Sequence, residues 1–281
     1  MKAKTVRLVR TVSTNRTLQV VRRGAAALWL VFCGAAVQAQ EEVPFITSPD
    51  AVTLEMLRSA DVTASDFLID LGSGDGRIVI TAARLFGARG LGVEIVPDLV
   101  QRSRDNARRA GVEGRAEFRE QDLFRTDLAS ASVITLYLLP EVNMQLRPAL
   151  LALKPGTRIV SHDWDMGDWK PDRTTELEVP DKQVGREKKS RVHLWIVPAR
   201  VAGSWCGAGA LRGARLSIEQ RHQMYSGTLR RGQRSSRVEG VVRGSELRPA
   251  GRGADAMTLR LEAGSLRRTG DGDASGSFRR C

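Results

Sequence analysis

The chain has 281 residues, of which 42% are hydrophobic and 27% are charged, enough for one large domain or for one domain with a small companion. Its formal net charge of +12 is unevenly distributed, because residues 1–40 contribute +7, residues 200–281 contribute +9 and the residues between them carry −4. Since the central part is mildly acidic, the overall basicity does not indicate a nucleic-acid-binding protein.

The first forty residues have the pattern of an export signal. Basic residues precede the apolar run GAAALWLVFCGAAVQA, which is shorter than the roughly 20 residues that span a bilayer. The run ends in Val37-Gln38-Ala39, so we expect a signal peptide over residues 1–39, with cleavage near Ala39 and an exported, periplasmic or envelope-associated protein. The alternatives are an uncleaved anchor and a misplaced start codon; in the second case the protein is cytoplasmic.

Strands and helices alternate from residue 42 to residue 199. The buried strands DFLIDLG, GLGVEI and AEFREQDL are separated by the helices RIVITAARLF and PDLVQRSRDNARRAG. They are followed by the strand ASVITLYLL, the helix EVNMQLRPALLAL and a strand in KPGTRIVSHDW, and then by TTELEV and SRVHLWIVP with no helical pattern between them. This order predicts an α/β fold: a Rossmann-like, doubly wound, mostly parallel seven-stranded sheet with one antiparallel hairpin at its edge.

A glycine-rich turn follows the first strand. The dinucleotide fingerprint G-x-G-x-x-G needs a third glycine where this chain has Arg77, so the pyrophosphate site is missing. Gly72, Gly74 and Gly76 instead make a tight concave turn that suits a small ligand without phosphates. Asp70 can accept hydrogen bonds from a cationic amine, and Glu94, at the end of the second strand, can accept both hydroxyls of a ribose.

These residues resemble the class I, seven-strand S-adenosylmethionine-dependent methyltransferases. The resemblance extends to Gln121-Asp122 after the third strand and to LKPG before the fifth strand. It implies that S-adenosylmethionine is the cofactor, that Asp70 and the glycines border its methionine part, that Glu94 holds the ribose and that Asp122 meets the adenine amino group. The expected cofactor-binding residues are Thr47, Asp70, Gly72, Ser73, Gly74, Asp75, Gly76, Glu94, Gln121 and Asp122.

A narrower resemblance is carried by VPFITSPDAVTLEML, DLGSGDGRIVI, LYLLPEVNMQLRPAL and the run from SHDW to the following DW. These segments are similar to the small protein-lysine methyltransferases that act on the ATP synthase c-subunit and the adenine nucleotide translocase, and to their bacterial relatives. The resemblance implies N-methylation of a protein lysine. The alternative is an exported protein that binds a similar ligand without turnover, because S-adenosylmethionine is made in the cytosol. No metal is expected, because the three histidines lack metal-site spacing, and no nucleic-acid partner is indicated.

Methyl transfer to an amine requires a neutral nucleophile within about 3–3.5 Å of the methyl carbon. A lysine must therefore lose its proton from an ordinary pKa of about 10.4, which an apolar, aromatic channel favours. We expect Tyr137 to face the methyl group, Asn143 to be a second polar group nearby and Asp163 to orient the amine. Trp164 and Trp169 are candidates for the channel walls. The structural alternatives are packing for the aromatic residues and a helix cap for Asn143.

The segment after residue 200 has sixteen arginines, no lysine and frequent glycines. Its short alternating stretches predict an antiparallel meander over residues 203–281 that closes into a small barrel or sandwich, with disorder as the alternative. Trp205 and Phe278 are expected to meet at the closure. Cys206 and Cys281 are either a disulfide or two free thiols. The arginines suggest contact with an anionic envelope surface; the alternative is a solvated basic exterior.

Overall fold

A computed structural model describes residues 46–180, 182, 187–251, 256–269 and 276–281. The predicted export signal over residues 1–39 lies outside these ranges. Among the helices that the structure describes, none is both long enough and apolar enough to span a bilayer.

A seven-stranded sheet and its flanking helices form the first part of the fold. The helices are α1 (Asp50–Ser59), α2 (Arg77–Phe86), α3 (Pro97–Arg109) and α4 (Pro140–Leu150). The strands are β1 (Phe67–Leu71), β2 (Arg89–Glu94), β3 (Ala116–Glu120), β4 (Val133–Leu136), β5 (Arg158–His162), β6 (Arg173–Glu178) and β7 (Lys189–Ile196).

The strand order of the sheet is β3-β2-β1-β4-β5-β7-β6. The first five strands in this order are parallel, whereas β7 is antiparallel to both β5 and β6. The predicted α/β class and the antiparallel edge hairpin are therefore confirmed. The order reverses between β1 and β4, so the loops that follow these two strands diverge to opposite faces and leave a crevice, the usual ligand position in such sheets.

Apolar clusters on both faces of the sheet explain why its central strands read as continuous apolar runs. One cluster contains Met56 of α1, Val79 of α2 and Phe118 of β3, while the other contains Leu146 of α4 and Trp195 of β7. All four residues of β4 are buried. A parallel strand that is covered on both faces cannot alternate with polar residues.

Two local expectations differ from the structure. The fourth strand ends at Leu136, and the following Tyr137-Leu138-Leu139 is a loop, because Pro140 starts α4 and the residue before a proline is held in an extended conformation. Helix α1 was not predicted. Its buried residues include Val52, Met56 and Leu57, and it packs against α2 and the sheet.

The C-terminal strands form a closed antiparallel barrel, which confirms the predicted meander. Each strand pairs with the next, and β15 pairs with β8 to complete the ring. Trp205 and Phe278 lie buried on this closing pair of strands, as expected. The strands are β8 (Gly203–Gly209), β9 (Ala214–Arg221), β10 (Met224–Arg231), β11 (Arg234–Arg243), β12 (Glu246–Pro249), β13 (Leu259–Glu262), β14 (Ser265–Arg268) and β15 (Gly276–Arg280).

A disulfide joins Cys206 of β8 to Cys281, the residue after β15, with a Cα–Cα distance of 5.1 Å. Beside it, the guanidinium carbon of Arg280 lies 4.0 Å from the ring centre of Trp205. The covalent bond and this cation–π contact both hold the two strands whose pairing closes the barrel.

The β9–β10 turn of the barrel contacts the loop that leads into β6. The ring of His222 lies 6.3 Å from the ring of Trp169, and Gln223 Nε2 donates to the carbonyl of Lys170 at 2.5 Å. Arg221 pairs with Asp168 at 2.8 Å. The barrel is thus packed against the sheet through apolar, hydrogen-bonded and charged contacts.

Candidate active site

The crevice lies between the loops that follow β1 and β4. Asp70 and Thr135 face each other in the register of these two strands. A Cβ at Gly72 would lie only 2.8 Å from Leu138 of the second loop. The glycine therefore lets the two loops approach closely, and the candidate site sits at the carboxyl ends of the strands where the strand order reverses.

The glycine turn is concave and is held against β2. Gly72, Gly74 and Gly76 have φ angles of 75°, 53° and 81°, a conformation that side chains with a Cβ rarely adopt. The amides of Gly72 and Ser73 both donate to the carbonyl of Val93 at 2.9 Å. Backbone rather than side chain therefore faces the ligand space.

The Glu94 carboxylate points toward the glycine turn. Its Oε2 accepts a hydrogen bond from the amide of Gly74 at 3.0 Å. Its Oε1 accepts from the amides of Ile95 at 2.8 Å and Val96 at 3.1 Å. A carboxylate offers about four acceptor sites, so Glu94 is fixed by the backbone and retains capacity for a hydroxyl of a bound ribose.

Asp70 is a buried carboxyl group whose pKa is raised to about 7. Burial is the main cause, and the negative charges of Glu94 and Asp75 add to it, while a hydrogen bond from Thr135 Oγ1 at 2.7 Å opposes it. Three carboxylates around one turn repel one another and attract a cation. A ligand that carries an ammonium and a sulfonium group fits this environment.

Asp75 holds Arg77 rather than open space. The Arg77 guanidinium donates to the two Asp75 oxygens at 3.0 and 2.7 Å and also to the carbonyl of Ser48 at 2.9 Å. The residue that replaces the third glycine of a dinucleotide site thus ties the segment before α1, which contains Thr47, to the glycine turn. Direct contacts of Asp75 and Thr47 with the cofactor stay predictions.

The ends of β2 and β3 lie side by side next to Glu94. The Gln121 amide donates to the carbonyl of Glu94 at 2.9 Å, and Asp122 Oδ1 accepts from the amide of Phe124 at 2.8 Å. Two apolar side chains near these ends are exposed: Ile95 (56%) and Phe124 (51%). Exposed apolar groups beside hydrogen-bonding residues suit an adenine ring, a feature that the sequence analysis did not identify.

Tyr137 lies outside the core, stacked on His162 with 4.0 Å between ring centres. Burial and the nearby Asp163 raise the pKa of Tyr137. His162 is fully buried, and its two ring nitrogens lie 2.9 Å from the hydroxyls of Ser48 and Ser190. Burial lowers the pKa of His162 to about 4, so it is neutral at pH 7 and supports the tyrosine ring.

Asp163 follows β5 with a φ of 62° and already holds a lysine ammonium. Its Oδ2 lies 2.7 Å from Nζ of Lys182, and its Oδ1 accepts from the amide of Arg191 at 2.9 Å. The Asp163 side chain is 17% exposed and that of Lys182 is 12% exposed. The position expected to orient an amine is therefore compatible with a lysine head group.

The structure separates the remaining candidates. Asn143 is buried within α4, and its Nδ2 donates to Ser161 Oγ at 3.2 Å and to the carbonyl of Trp164 at 3.3 Å. Because Leu139 is the N-cap of α4, the helix-cap alternative for Asn143 is wrong. Trp164 is 44% exposed, whereas Trp169 is fully buried and its carbonyl accepts from Trp195 Nε1. The interpretation of Trp169 as a channel wall is therefore wrong.

Two buried polar atoms show that the crevice is built for a polar ligand. Ser73 Oγ and Asn143 Oδ1 are buried and have no hydrogen-bond partner within the described part of the chain. Such atoms are rare in folded proteins, where buried polar groups are almost always paired. Together with the carboxylates and the glycine turn, they fit S-adenosylmethionine. In the described ranges no group of three or more histidine, cysteine or acidic side chains is arranged to hold a metal.

Comparisons with known proteins agree with this site. The ANTKMT methyltransferase domain matches residues 70–173. A protein-lysine N-methyltransferase of Saccharolobus islandicus (strain REY15A) is 41% identical over 138 residues, which make up 48% of this chain and 86% of that protein. The lysine N-methyltransferase of the ATP synthase c-subunit from Mus musculus is 42% identical over 109 residues, 38% of this chain but only 44% of the mouse protein.

A solved structure covers more of the chain. The crystal structure of an RNA methyltransferase from Salinibacter ruber in complex with S-adenosyl-L-homocysteine is 52% identical, with a TM-score of 0.51. The match covers 56% of this chain and 96% of that protein. The relatives therefore agree on the cofactor type and differ in the acceptor that their names state.

Proposed function

Since the chain belongs to the ANTKMT methyltransferase family and is an S-adenosylmethionine-dependent methyltransferase, we propose that its methyl acceptor is the side-chain amine of a lysine in a protein. The observation that carries this proposal is the ion pair between Asp163 and Lys182 at 2.7 Å, beside the ring pair of Tyr137 and His162. A carboxylate at the end of β5 thus binds a lysine ammonium next to the cofactor crevice. The 41% identical lysine methyltransferase supports the same acceptor.

The chain's own residues divide the work of the reaction. When bound, S-adenosylmethionine supplies a methyl group on a positively charged sulfur. Asp70 and the backbone of the glycine turn hold the charged end of this cofactor, and Glu94 fixes its sugar. Tyr137 borders the space in front of the methyl group, and Asn143 offers its unpaired Oδ1 from the floor of the crevice. These contacts supply orientation, which is the main requirement of an in-line transfer.

The acceptor amine must lose a proton before it can attack. Asp163 stabilises the ammonium form, so it selects the acceptor and does not generate the nucleophile. Deprotonation is favoured where the amine leaves this carboxylate for the half-buried ring of Tyr137, because burial disfavours the charged form. The neutral His162 below that ring adds no positive charge that would repel the incoming ammonium and no basic group that would bind its proton tightly.

Labelled methyl transfer tests the acceptor. Full-length protein and radiolabelled S-adenosylmethionine are incubated with separate envelope and cytosol extracts, followed by protease or ribonuclease digestion. We expect label that is lost to protease, resists ribonuclease and yields methyl-lysine on hydrolysis. Label lost to ribonuclease alone would replace this proposal with an RNA acceptor, as named for the Salinibacter ruber protein.

Two variants separate the assigned roles. Asp163→Asn is expected to raise KM for the acceptor without changing the affinity for S-adenosylmethionine. Tyr137→Phe is expected to keep both affinities and to lower kcat by roughly a hundredfold, the scale of losing one preorganised polar contact. Asp61→Asn is the matched control, because Asp61 lies beside the start of β5, at the opposite edge of the sheet. Unchanged kinetics in Asp163→Asn would remove the assigned role of this carboxylate.

A binding protein without turnover is the second candidate, because an exported enzyme needs a supply of cofactor. Isothermal titration of the full chain with S-adenosylmethionine, followed by the transfer assay, distinguishes the two. Binding that is lost in Glu94→Ala, together with methyl transfer, supports the enzyme. The same binding without transfer into any extract supports the alternative.

We propose in addition that the protein functions outside the cytoplasm, with its arginine-rich barrel against an anionic envelope surface. The disulfide between Cys206 and Cys281 supports this location, because such bonds persist in oxidising compartments. Cell fractionation with thiol alkylation tests it: we expect envelope fractions with both thiols blocked, released by high salt. A cytosolic protein with two reactive thiols would contradict the proposal.

A further inference from the structure

The barrel encloses an apolar cavity that the methyltransferase reaction does not use. Its volume is about 420 Å³, near the lower end of the roughly 300–1,000 Å³ of small-molecule sites. An eight-stranded barrel is either filled by its own side chains or holds one small ligand. The walls are mainly aliphatic and aromatic and include Leu216, Ile218, Leu229, Leu247, Leu259 and Phe278.

One polar group lines this cavity from within. Tyr225 is only 7% exposed, and its hydroxyl makes no hydrogen bond to any described residue. The ring lies over Gly240, where an added Cβ would be 2.8 Å from the phenolic oxygen. A buried tyrosine hydroxyl normally finds a partner. The Tyr225 phenol is therefore available to a hydrogen-bond acceptor on a molecule inside the barrel.

The cavity is bordered where the barrel wall is least paired. The ladder between β12 and β13 has two residue pairs, and Pro249 and Met257, on either side of the connection, both line the cavity. Arg237 and Glu239 stand at the same border, with side chains 80% and 56% exposed and 3.2 Å apart. An exposed pair of this kind is weak, so Arg237 can exchange its partner for an anionic group.

Charge indicates which end group the border accepts. Residues 200–281 contain sixteen arginines and seven acidic residues. A surface with this excess attracts anions and repels cations. The lumen has the complementary property, because its lining offers an apolar surface with a single phenol.

We propose that the barrel binds one molecule of an amphiphilic carboxylate, with its apolar chain in the lumen and its carboxylate at Arg237 and within reach of the Tyr225 phenol. This site is separate from the crevice between β1 and β4. The barrel is thus a ligand-binding module attached to the methyltransferase, and its occupant belongs to the chemical class of medium-chain acyl acids.

Fluorescence titration of the full chain with anilinonaphthalene sulfonate, followed by displacement with decanoate, tests the proposal. We expect one probe per chain, displaced by decanoate. Val238→Trp fills the cavity and is expected to weaken probe binding at least tenfold. Met224→Trp is the matched control, because Met224 is 54% exposed on the adjacent strand β10, and it is expected to bind like the wild type. Equal binding by Val238→Trp, with the barrel shown folded by circular dichroism, would overturn the proposal.

A second comparison does not depend on a core substitution. Arg237→Gln changes an exposed residue and is expected to weaken decanoate binding several-fold while leaving the neutral decanol unaffected. Tyr225→Phe is expected to weaken both. Equal loss of decanoate and decanol in Arg237→Gln, or no displacement of the probe by either compound in the wild type, would also refute the assignment.

Discussion

The affinity for S-adenosylmethionine is expected to rise with pH through neutrality, because Asp70 must be ionised to face a cation. In the protein without ligand, burial and the charges of Glu94 and Asp75 raise the pKa of Asp70 to about 7. Below that pH the group is mostly a neutral acid, and a bound cation must displace its proton. Above it the carboxylate is already present. Binding therefore releases a proton in the acidic range, and its free energy becomes more favourable as the pH increases.

The size of the effect follows from the ionised fraction of Asp70. With a pKa of about 7, roughly one molecule in eleven is ionised at about pH 6, and roughly ten in eleven at about pH 8. If only the ionised form binds strongly, the dissociation constant falls about tenfold between these two conditions, which corresponds to about 1.4 kcal/mol. The midpoint of the change should lie near the pKa of Asp70 in the free protein.

Isothermal titration at a series of pH values, in two buffers with different ionisation enthalpies, measures both the affinity and the released proton. Asp70→Asn is expected to bind more weakly at high pH, by roughly tenfold to a hundredfold, and to lose the pH dependence. Glu94→Gln is expected to move the midpoint to lower pH, because it removes one of the like charges. Asp172→Asn is the matched control, since burial also raises the pKa of Asp172, whose carboxylate accepts from the amide of Ile196 away from the crevice. An affinity that stays flat from about pH 6 to about pH 8 would refute the assignment of Asp70 to the cationic end of the cofactor.

Three further outcomes are expected. Gly76→Ala should lower the melting temperature and abolish cofactor binding, because its φ is 81° and its Cβ would lie 2.6 Å from a phenylalanine ring of β3; Gly111→Ala, with a φ of 65° and open space around it, should show the conformational strain alone. Replacement of both Cys206 and Cys281 by serine should destabilise the barrel by roughly 4 kcal/mol in denaturant titrations, as a loop closed across 75 residues predicts, with cofactor binding retained. Burial lowers the pKa of His162 from 6.5 to about 4, so the unfolded state binds the extra proton between these values and stability should fall as the pH decreases through that window, by up to roughly 3 kcal/mol more than in His162→Asn. A smaller effect in Gly76→Ala than in Gly111→Ala, unchanged denaturation midpoints without the disulfide, or parallel acid-unfolding curves for the histidine variant would contradict the respective argument.

The sequence predicted the parts of the site that are local in the chain. The glycine turn, Asp70 and Glu94 lie within 25 residues of one another, and each follows an apolar strand whose length and composition mark its end. The support of Tyr137 was missed, because His162 meets Ser48 across 114 residues and Ser190 across 28 residues. No spacing in the chain indicates such contacts, since they arise only when β5, β7 and the segment before α1 are packed together.

The same distinction separates correct from incorrect expectations elsewhere. The meander and its closing strands could be predicted, because alternation and glycine turns are local and the ends of an up-and-down barrel must meet. The position of Trp169 was wrong, because an aromatic residue after a strand reads alike as a channel wall or as core, and its burial depends on Trp195 and on the barrel turn at His222. The cavity in the barrel was not predicted, since the volume that side chains leave empty depends on packing among eight strands.

Charge gives an independent reason to favour a lysine over a nucleic acid at the crevice. Asp70, Asp75, Glu94 and Asp163 place negative charge at the ends of β1, β2 and β5, within a central segment whose net charge is −4. A polyanion that entered this crevice would be repelled, and the affinity that arginines give to phosphates would act on the barrel instead. A lysine ammonium is attracted to the same carboxylates and already occupies one of them through Lys182. The basic barrel and the acidic crevice therefore serve different ligands, so affinity for anionic surfaces does not identify the methyl acceptor.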